Sequence, residues 1–166
     1  MPARALYELT SRAVEITRGT KTRLLVNDRA DIARASDADG VHLTTRSLPA
    51  QVVRDIYGPE FLIGVSTHSL REAQDARKNG ADFVVFGPVF ETESKREFGE
   101  PQGLAKLREV THALDEFPVL AIGGISLENV AECFAAGACG VAAIRLLSDP
   151  ETMTSTVNTI RSRFAR

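Results

Sequence analysis

The sequence predicts an α/β protein, and three observations carry that prediction. Short apolar runs alternate, with few breaks, with longer segments whose apolar residues recur at helical spacing. The short runs are apolar on both faces, as strands of a buried parallel sheet are. Three segments, "DADGVHL", "GADFVVFG" and "GACGVAAI", echo one another, each placing a Gly, Ala or Asp helix exit before an apolar run.

The elements follow in order. A helix over about residues 3–18 opens the chain, with Ala5, Leu6, Leu9, Ala13, Val14 and Ile16 at helical spacing. "RLLVND" reads as a strand and "RADIARASDA" as a helix. "GVHL" is a short strand, and "PAQVVRDIY" a helix with Pro49 in its first turn. "FLIGVS" is a strand. "SLREAQDARKNG" is a helix with Ser69 and Glu72 at capping-box spacing and Gly80 as its stop. "FVVFGPVF" is a strand, "PQGLAKLREVTHALDE" contains a helix, "PVLAIGG" is a strand and "SLENVAECFAAG" a helix. "GVAAIRLL" is the last strand. "DPETMTSTVNTIRSRF" is the last helix, capped by Asp149 with Pro150 at its first position. A leading helix and six strand–helix units leave two architectures open, a doubly wound sheet or a (β/α)8 barrel.

Composition narrows the function classes. The 166 residues argue for one domain, and 43% hydrophobic with 25% charged residues is an ordinary globular mix. A net charge of −2 offers no global field for a nucleic-acid backbone. No apolar run has membrane-spanning length, and the N-terminal stretch lacks a signal-peptide core, so a cytoplasmic protein is expected. Cys133 and Cys139 match no zinc or redox spacing and read as small buried fillers.

In either architecture ligands bind at the carboxyl ends of the strands, and chemistry-bearing residues crowd those ends. Gly123 and Gly124 in "AIGGIS" let backbone approach a ligand. Ser126 reads as the cap of the next helix, whose free amides favour phosphate; the competing reading is a tight capped turn. Ser66 and His68 end a strand in "VSTHS". His68 suits proton transfer near neutral pH, or else packs or caps. His42 ends a strand but by alternation points into the core, and His112 is expected to be exposed on a helix. Asn27 and Asp28 end another strand. Asp28 suits Mg2+, yet by spacing alone Asp28 and Asp31 read as cap and first-turn acid. Thr92, Ser94 and Lys95, two hydroxyls and an ammonium in "TESK", suit phosphoryl oxygens; the alternative is a solvated loop.

Together, "LLVNDRADIA", "ADGVHL", "IGVSTHSLREA", "GADFVVFGPVFETESK", "PQGLAKL", "AIGGISLENV" and "AGACGVAAI" resemble the thiamine phosphate synthase and TenI family of phosphate-binding TIM barrels. The resemblance covers nearly the whole chain from about residue 4 and implies the barrel. Synthases of the family join a hydroxymethylpyrimidine diphosphate to a thiazole phosphate and release diphosphate. Carried over, their Mg2+ site falls on Asp28, and their second metal-binding Asp falls on Ser47. Their diphosphate contacts fall on Ser66, Thr92, Ser94 and Lys95, and their thiazole-phosphate loops on Gly123, Gly124 and Ile144. Arg145 stands where the synthase pattern has Ser.

The "FET" sequence and the missing second Asp look closer to the TenI branch, whose thiazole tautomerases need no metal. There the family's proton-shuttling histidine maps to His68. The expectations are therefore three. The first is a tautomerase without cofactor, with His68 and Ser66 in its catalytic site. The second is an Mg2+-dependent synthase. The third is a non-catalytic remnant that binds a phosphate ligand. All take small molecules, a thiazole phosphate with or without a pyrimidine diphosphate, and neither nucleic acid nor membrane. A barrel has eight strands and six are read here. The chain is thus expected to be a single barrel domain over 1–166, incomplete, lacking the family's first strand, first helix and second strand. Strand edges left open in this way invite pairing into a homo-oligomer.

Overall fold

A computed structural model describes residues 1–92 and 100–164, with side chains through residue 162. The chain forms two compact units, Met1–Ser66 with Ala76–Asp82, and Thr67–Asp75 with Phe83–Arg166. The element order is the one expected, a leading helix and six strands in alternation with helices among the described residues.

The first unit carries α1 (Ala3–Thr17), β1 (Leu25–Asn27), α2 (Ala30–Ala35), β2 (Gly40–Leu43), α3 (Ala50–Tyr57) and all but the last residue of β3 (Leu62–Thr67). Its strands are parallel, with Leu25 opposite Gly40 and Val41 opposite Ile63. Val41 and Ile63 are fully buried and pack with Val26, Leu43, Val53 and Phe61, against which Leu6 of α1 lies. Burying each such side chain contributes about 1.5–3 kcal/mol, so the double-faced apolar runs hold the unit together.

The chain continues through α4 (Leu70–Lys78), β4 (Phe83–Phe86), α5 (Gly103–Leu114), β5 (Val119–Ile122), α6 (Val130–Ala135), β6 (Gly140–Ala142), a 3₁₀ turn (Arg145–Leu147) and α7 (Pro150–Phe164). Within the second unit β4, β5 and β6 are parallel, with Val84 opposite Val119 and Ala121 opposite Val141. Phe86, Leu107, Val110, Leu114 and Val130 form its interior. Asp149 caps α7 as expected, its carboxylate accepting from the Glu151 amide at 3.0 Å and the Thr152 hydroxyl at 3.0 Å.

Most elements are shorter than their patterns predict, and for three of them the local bonding is informative. β4 stops at Phe86, before Pro88, which has no N–H to give a ladder. The chain beyond it still bonds to the turn after β5, Val89 N–H to the Ile122 carbonyl and Phe90 N–H to the Gly123 carbonyl. β6 ends at Ala142 instead of running to residue 147, and the 3₁₀ turn takes its place. α6 starts only at Val130. Ser126 does not cap it. The Asn129 side chain accepts from the Ser126 amide at 2.9 Å and donates to the Gly124 carbonyl at 2.9 Å, closing a separate turn.

The echoed segments are one repeated device. Asp37, Gly80 and Gly137 take left-handed backbone, with φ of 57°, 85° and 94°. The alanine after each donates back into the preceding helix, Ala38 to Ala33, Ala81 to Ala76 and Ala138 to Cys133. The next residue donates to a carbonyl in a strand or just before one, Asp39 to Leu24, Asp82 to Ile63 and Cys139 to Val119. In the first unit the aspartates add a second bond, accepting the Leu24 amide at 2.7 Å and the Ile63 amide at 2.7 Å. In the second unit the position is Cys139, which is exposed rather than a buried filler; Cys133 is buried as expected, and burial pushes its thiol up to about 11.

Candidate functional site

The polar groups at the strand ends of the first unit bond to one another. Asp28, at φ 61°, donates its amide to the His42 carbonyl at 3.0 Å. Its carboxylate accepts the Ser47 hydroxyl. The cap expected of Asp28 is therefore not made: Arg29 occupies the N-cap position of α2 without a side-chain capping bond. Arg29 instead grips Asp31 through two bonds of 2.8 and 2.6 Å, and that grip holds the Asp31 carboxyl below its usual range. Ser47 reaches Asp28 because residues 44–47 form a tight turn, with the Thr44 amide donating to Ser47 Oγ at 2.6 Å and the Ser47 amide to the Thr44 carbonyl at 3.1 Å. Asn27, exposed at the end of β1, stands opposite His42 in the ladder.

His42 does not end in the core. It is half-buried, and its Nε2 lies 2.8 Å from Ser66 Oγ. Burial holds the imidazole below its ordinary pKa, with the Asp28 carboxylate pulling the other way. The sequence held a signal for this pair that spacing could not show: both residues end strands, and β2 and β3 are neighbours.

The second unit holds a cavity of about 560 Å³ lined by His68, Thr92, Gly123, Gly124, Ile144 and Arg145 among others. The two glycines make its wall possible. A Cβ on Gly123 would sit 2.5 Å from Pro88 Cα, and one on Gly124 2.5 Å from the Glu91 carbonyl oxygen, at φ of 98° and 64°. Arg145 Nη2 lies 3.4 Å from Thr92 Oγ1. Ser94 and Lys95 lie outside the described residues.

His68 is held from two sides. Its amide donates to Glu72 Oε2 at 2.6 Å, while the Glu72 amide donates to Ser69 Oγ at 3.2 Å. The predicted capping box is thus present, with its glutamate reaching back one residue further than the usual pattern. The imidazole Nδ1 bonds to the Gly87 carbonyl. A carbonyl only accepts, so Nδ1 carries the proton, and Nε2 of the neutral ring is left as a base. Gly87 was missed by sequence reading, although Gly-Pro at a strand end is a signal for it.

Among the described residues no group of three or more His, Cys, Asp or Glu side chains stands ready for a metal. Asp28 with the Ser47 hydroxyl is a one-carboxylate donor set, which suits Mg2+ that brings phosphate and water as its other ligands and does not suit a protein-only cage. No helix among the described residues is long and apolar enough to cross a membrane.

A family model described as thiamine monophosphate synthase matches residues 1–147. A thiamine-phosphate synthase of Roseiflexus castenholzii is 45% identical over 157 residues, spanning 93% of this chain and 68% of that protein. One of Moorella thermoacetica is 40% identical over 166 residues, spanning 100% of this chain and 79% of that protein. The solved thiamine phosphate pyrophosphorylase from Pyrococcus furiosus is 35% identical, with a TM-score of 0.86 over 98% of this chain and 77% of its own. The fold class is the α/β, TIM-barrel-like one that the family resemblance implied, while the strand–helix order alone had left a doubly wound sheet open as well. The chain belongs to the thiamine phosphate synthase/TenI family of thiamine biosynthesis.

Proposed function

We propose that the chain is a thiamine-phosphate synthase, coupling a hydroxymethylpyrimidine diphosphate to a thiazole phosphate. The observation that carries the reading is the second unit's cavity, walled by glycine backbone and bearing a guanidinium, which suits a small phosphorylated heterocycle. The names of the relatives favour coupling over isomerisation, which reverses the order expected from sequence.

In this reading Gly123, Gly124, Ile144 and Arg145 hold the thiazole phosphate. The diphosphate contacts are those that the family resemblance carries over in sequence, on Asn27, Ser66, Thr92, Ser94 and Lys95. The thiazole nitrogen's lone pair forms the new C–N bond to the pyrimidine methylene carbon, and the diphosphate departs with the old C–O pair. No proton has to move. Mg2+ bound with the diphosphate would neutralise leaving-group charge, and Asp28, with Ser47 beside it, would hold it.

The test is to incubate the full chain with both substrates and Mg2+ and to follow diphosphate release and thiamine phosphate formation. Release of both products in equal amounts, abolished by chelator, is the expected result. Absence of release sinks the reading.

A second reading has its own observation. The Gly87 bond leaves His68 Nε2 as a base at the cavity, the requirement for a TenI-type tautomerase acting on a thiazole carboxylate phosphate. Isomerisation that survives chelator and falls about 10²–10⁴-fold in His68→Ala supports it. Binding of thiazole phosphate without turnover of either kind supports the non-catalytic alternative.

A further inference from the structure

The coupling reaction creates charge where the thiazole had none. The ring nitrogen gives its lone pair to the new C–N bond and becomes a thiazolium cation. The diphosphate leaves with the old C–O pair and takes up one negative charge. A thiazole phosphate thus enters as an anion and becomes a zwitterion, positive at the ring and negative at the phosphate. A cavity that favours this change needs groups of both signs.

The second unit's cavity has both. Arg145 supplies a guanidinium, and Glu91 is the one carboxylate residue among the described residues that line it. Most of the remaining lining is glycine, proline and aliphatic side chains, surroundings in which charges act more strongly on one another than in water. A carboxylate beside a phosphate site costs affinity for a ligand that is only anionic, so its presence points to a ligand with a positive centre as well. The backbone fixes where Glu91 stands. The two residues before it, Val89 and Phe90, donate to the Ile122 and Gly123 carbonyls at 2.8 and 3.0 Å, and Gly124 lies against the Glu91 carbonyl where a Cβ would not fit. Thr92, the residue after it, lies 3.4 Å from Arg145.

We propose that the Glu91 carboxylate stabilises the thiazolium cation formed in the coupling, with Arg145 at the phosphate end, so that the cavity prefers the zwitterion to the corresponding anion. This rests on the synthase reading, which supplies the coupling and assigns Arg145 to the phosphate. The attraction is absent for the neutral ring and grows as the C–N bond forms, so it acts on the transition state more than on the bound substrate. Glu91 is exposed, and the effect is accordingly modest.

Calorimetry on the full chain tests this by comparing thiazole phosphate with its N-methylthiazolium counterpart, which keeps the phosphate and adds the ring charge. The parent is expected to bind the methylated ligand about threefold to tenfold more tightly. Glu91→Gln is expected to remove the preference, and Glu91→Asp to keep most of it. In the coupling assay Glu91→Gln should lower kcat by about the same threefold to tenfold without raising the KM for thiazole phosphate.

Equal affinity of the parent for the two ligands overturns the proposal, whether or not the chain couples. So does a preference that survives Glu91→Gln, including the case in which that variant binds both ligands more tightly by one factor, the mark of a carboxylate that acts only on Arg145 or the phosphate. If the Glu91-dependent preference is present but no diphosphate is released, the charge selection stands and the synthase reading alone falls. A parent chain that binds neither ligand overturns both.

Discussion

The two units use their polar residues in opposite ways. In the first, they are consumed by the protein itself. Arg54 donates to the carbonyls of Gly58, Pro59, Phe61 and Gly80 and to the Asp82 carboxylate at 2.7 Å. Asp39 and Asp82 close the loops that lead into strands, and Asp28 and Ser66 meet Ser47 and His42. In the second, shape does that work. Glycines let backbone segments touch, and the space they enclose is lined by His68 and Arg145. The difference teaches that a carboxylate or guanidinium in a strand-end loop says little about function until its partner is known. Arg54 and Arg145 are the same residue type; one staples loops and the other lines a cavity.

That contrast can be broken at its strongest point first. Arg54→Ala strips the partner from Asp82 and from several carbonyls at a site where the arginine side chain is only 17% exposed. A loss of about 3 kcal/mol of stability is expected, read by urea unfolding. In the second unit, Gly123→Ala forces a Cβ against Pro88 at a φ that L residues avoid. A loss of about 2–3 kcal/mol is expected from the same measurement, together with a reshaped cavity that binds thiazole phosphate less well. An unchanged stability would show that the glycine wall is not what holds the loop.

Next comes Arg145→Ser, which should leave folding alone because the side chain is exposed, yet weaken thiazole phosphate binding about tenfold to a hundredfold by calorimetry. Equal affinity would place Arg145 outside the binding set. The smallest effect sharpens the contrast by erasing it. Cys139 occupies the position held by Asp39 and Asp82 in the first unit. Cys139→Asp should supply the missing carboxylate to the Val119 amide and raise stability by about 1 kcal/mol. A pH series adds a signed check on Cys133. Its folded pKa of about 11 lies above the ordinary thiol value of 9.0, so between these values the unfolded chain has given up a proton that the folded chain keeps. Stability should therefore fall as pH rises through that window, and Cys133→Ala should flatten that part of the curve.

Much of the fold was legible from residue 1 onward. The double-faced apolar runs named the strands, helical spacing named the helices, and the "DAD", "GAD" and "GAC" echo named a helix exit that recurs at 37–39, 80–82 and 137–139. These signals are local: period, caps and left-handed turn residues act within a few positions of one another. Ends were less legible. Nothing local says that Asn129 closes a turn and delays α6, or that the last strand yields to a 3₁₀ turn after Ala142.

For the candidate site, the sequence by itself named the candidates, Asn27, Asp28, Ser66, His68, Thr92, Gly123, Gly124, Ile144 and Arg145, all at or just beyond strand ends, where an α/β protein exposes its loops. Only the tertiary structure decided their partners. It paired Asp28 with Ser47 and His42 with Ser66, residues 19 and 24 positions apart, and set the tautomer of His68 through Gly87, again 19 positions away. Periodicity reports which face a side chain leaves by. What it meets there depends on neighbouring strands and on the loops between them, and that is a property of the packed chain.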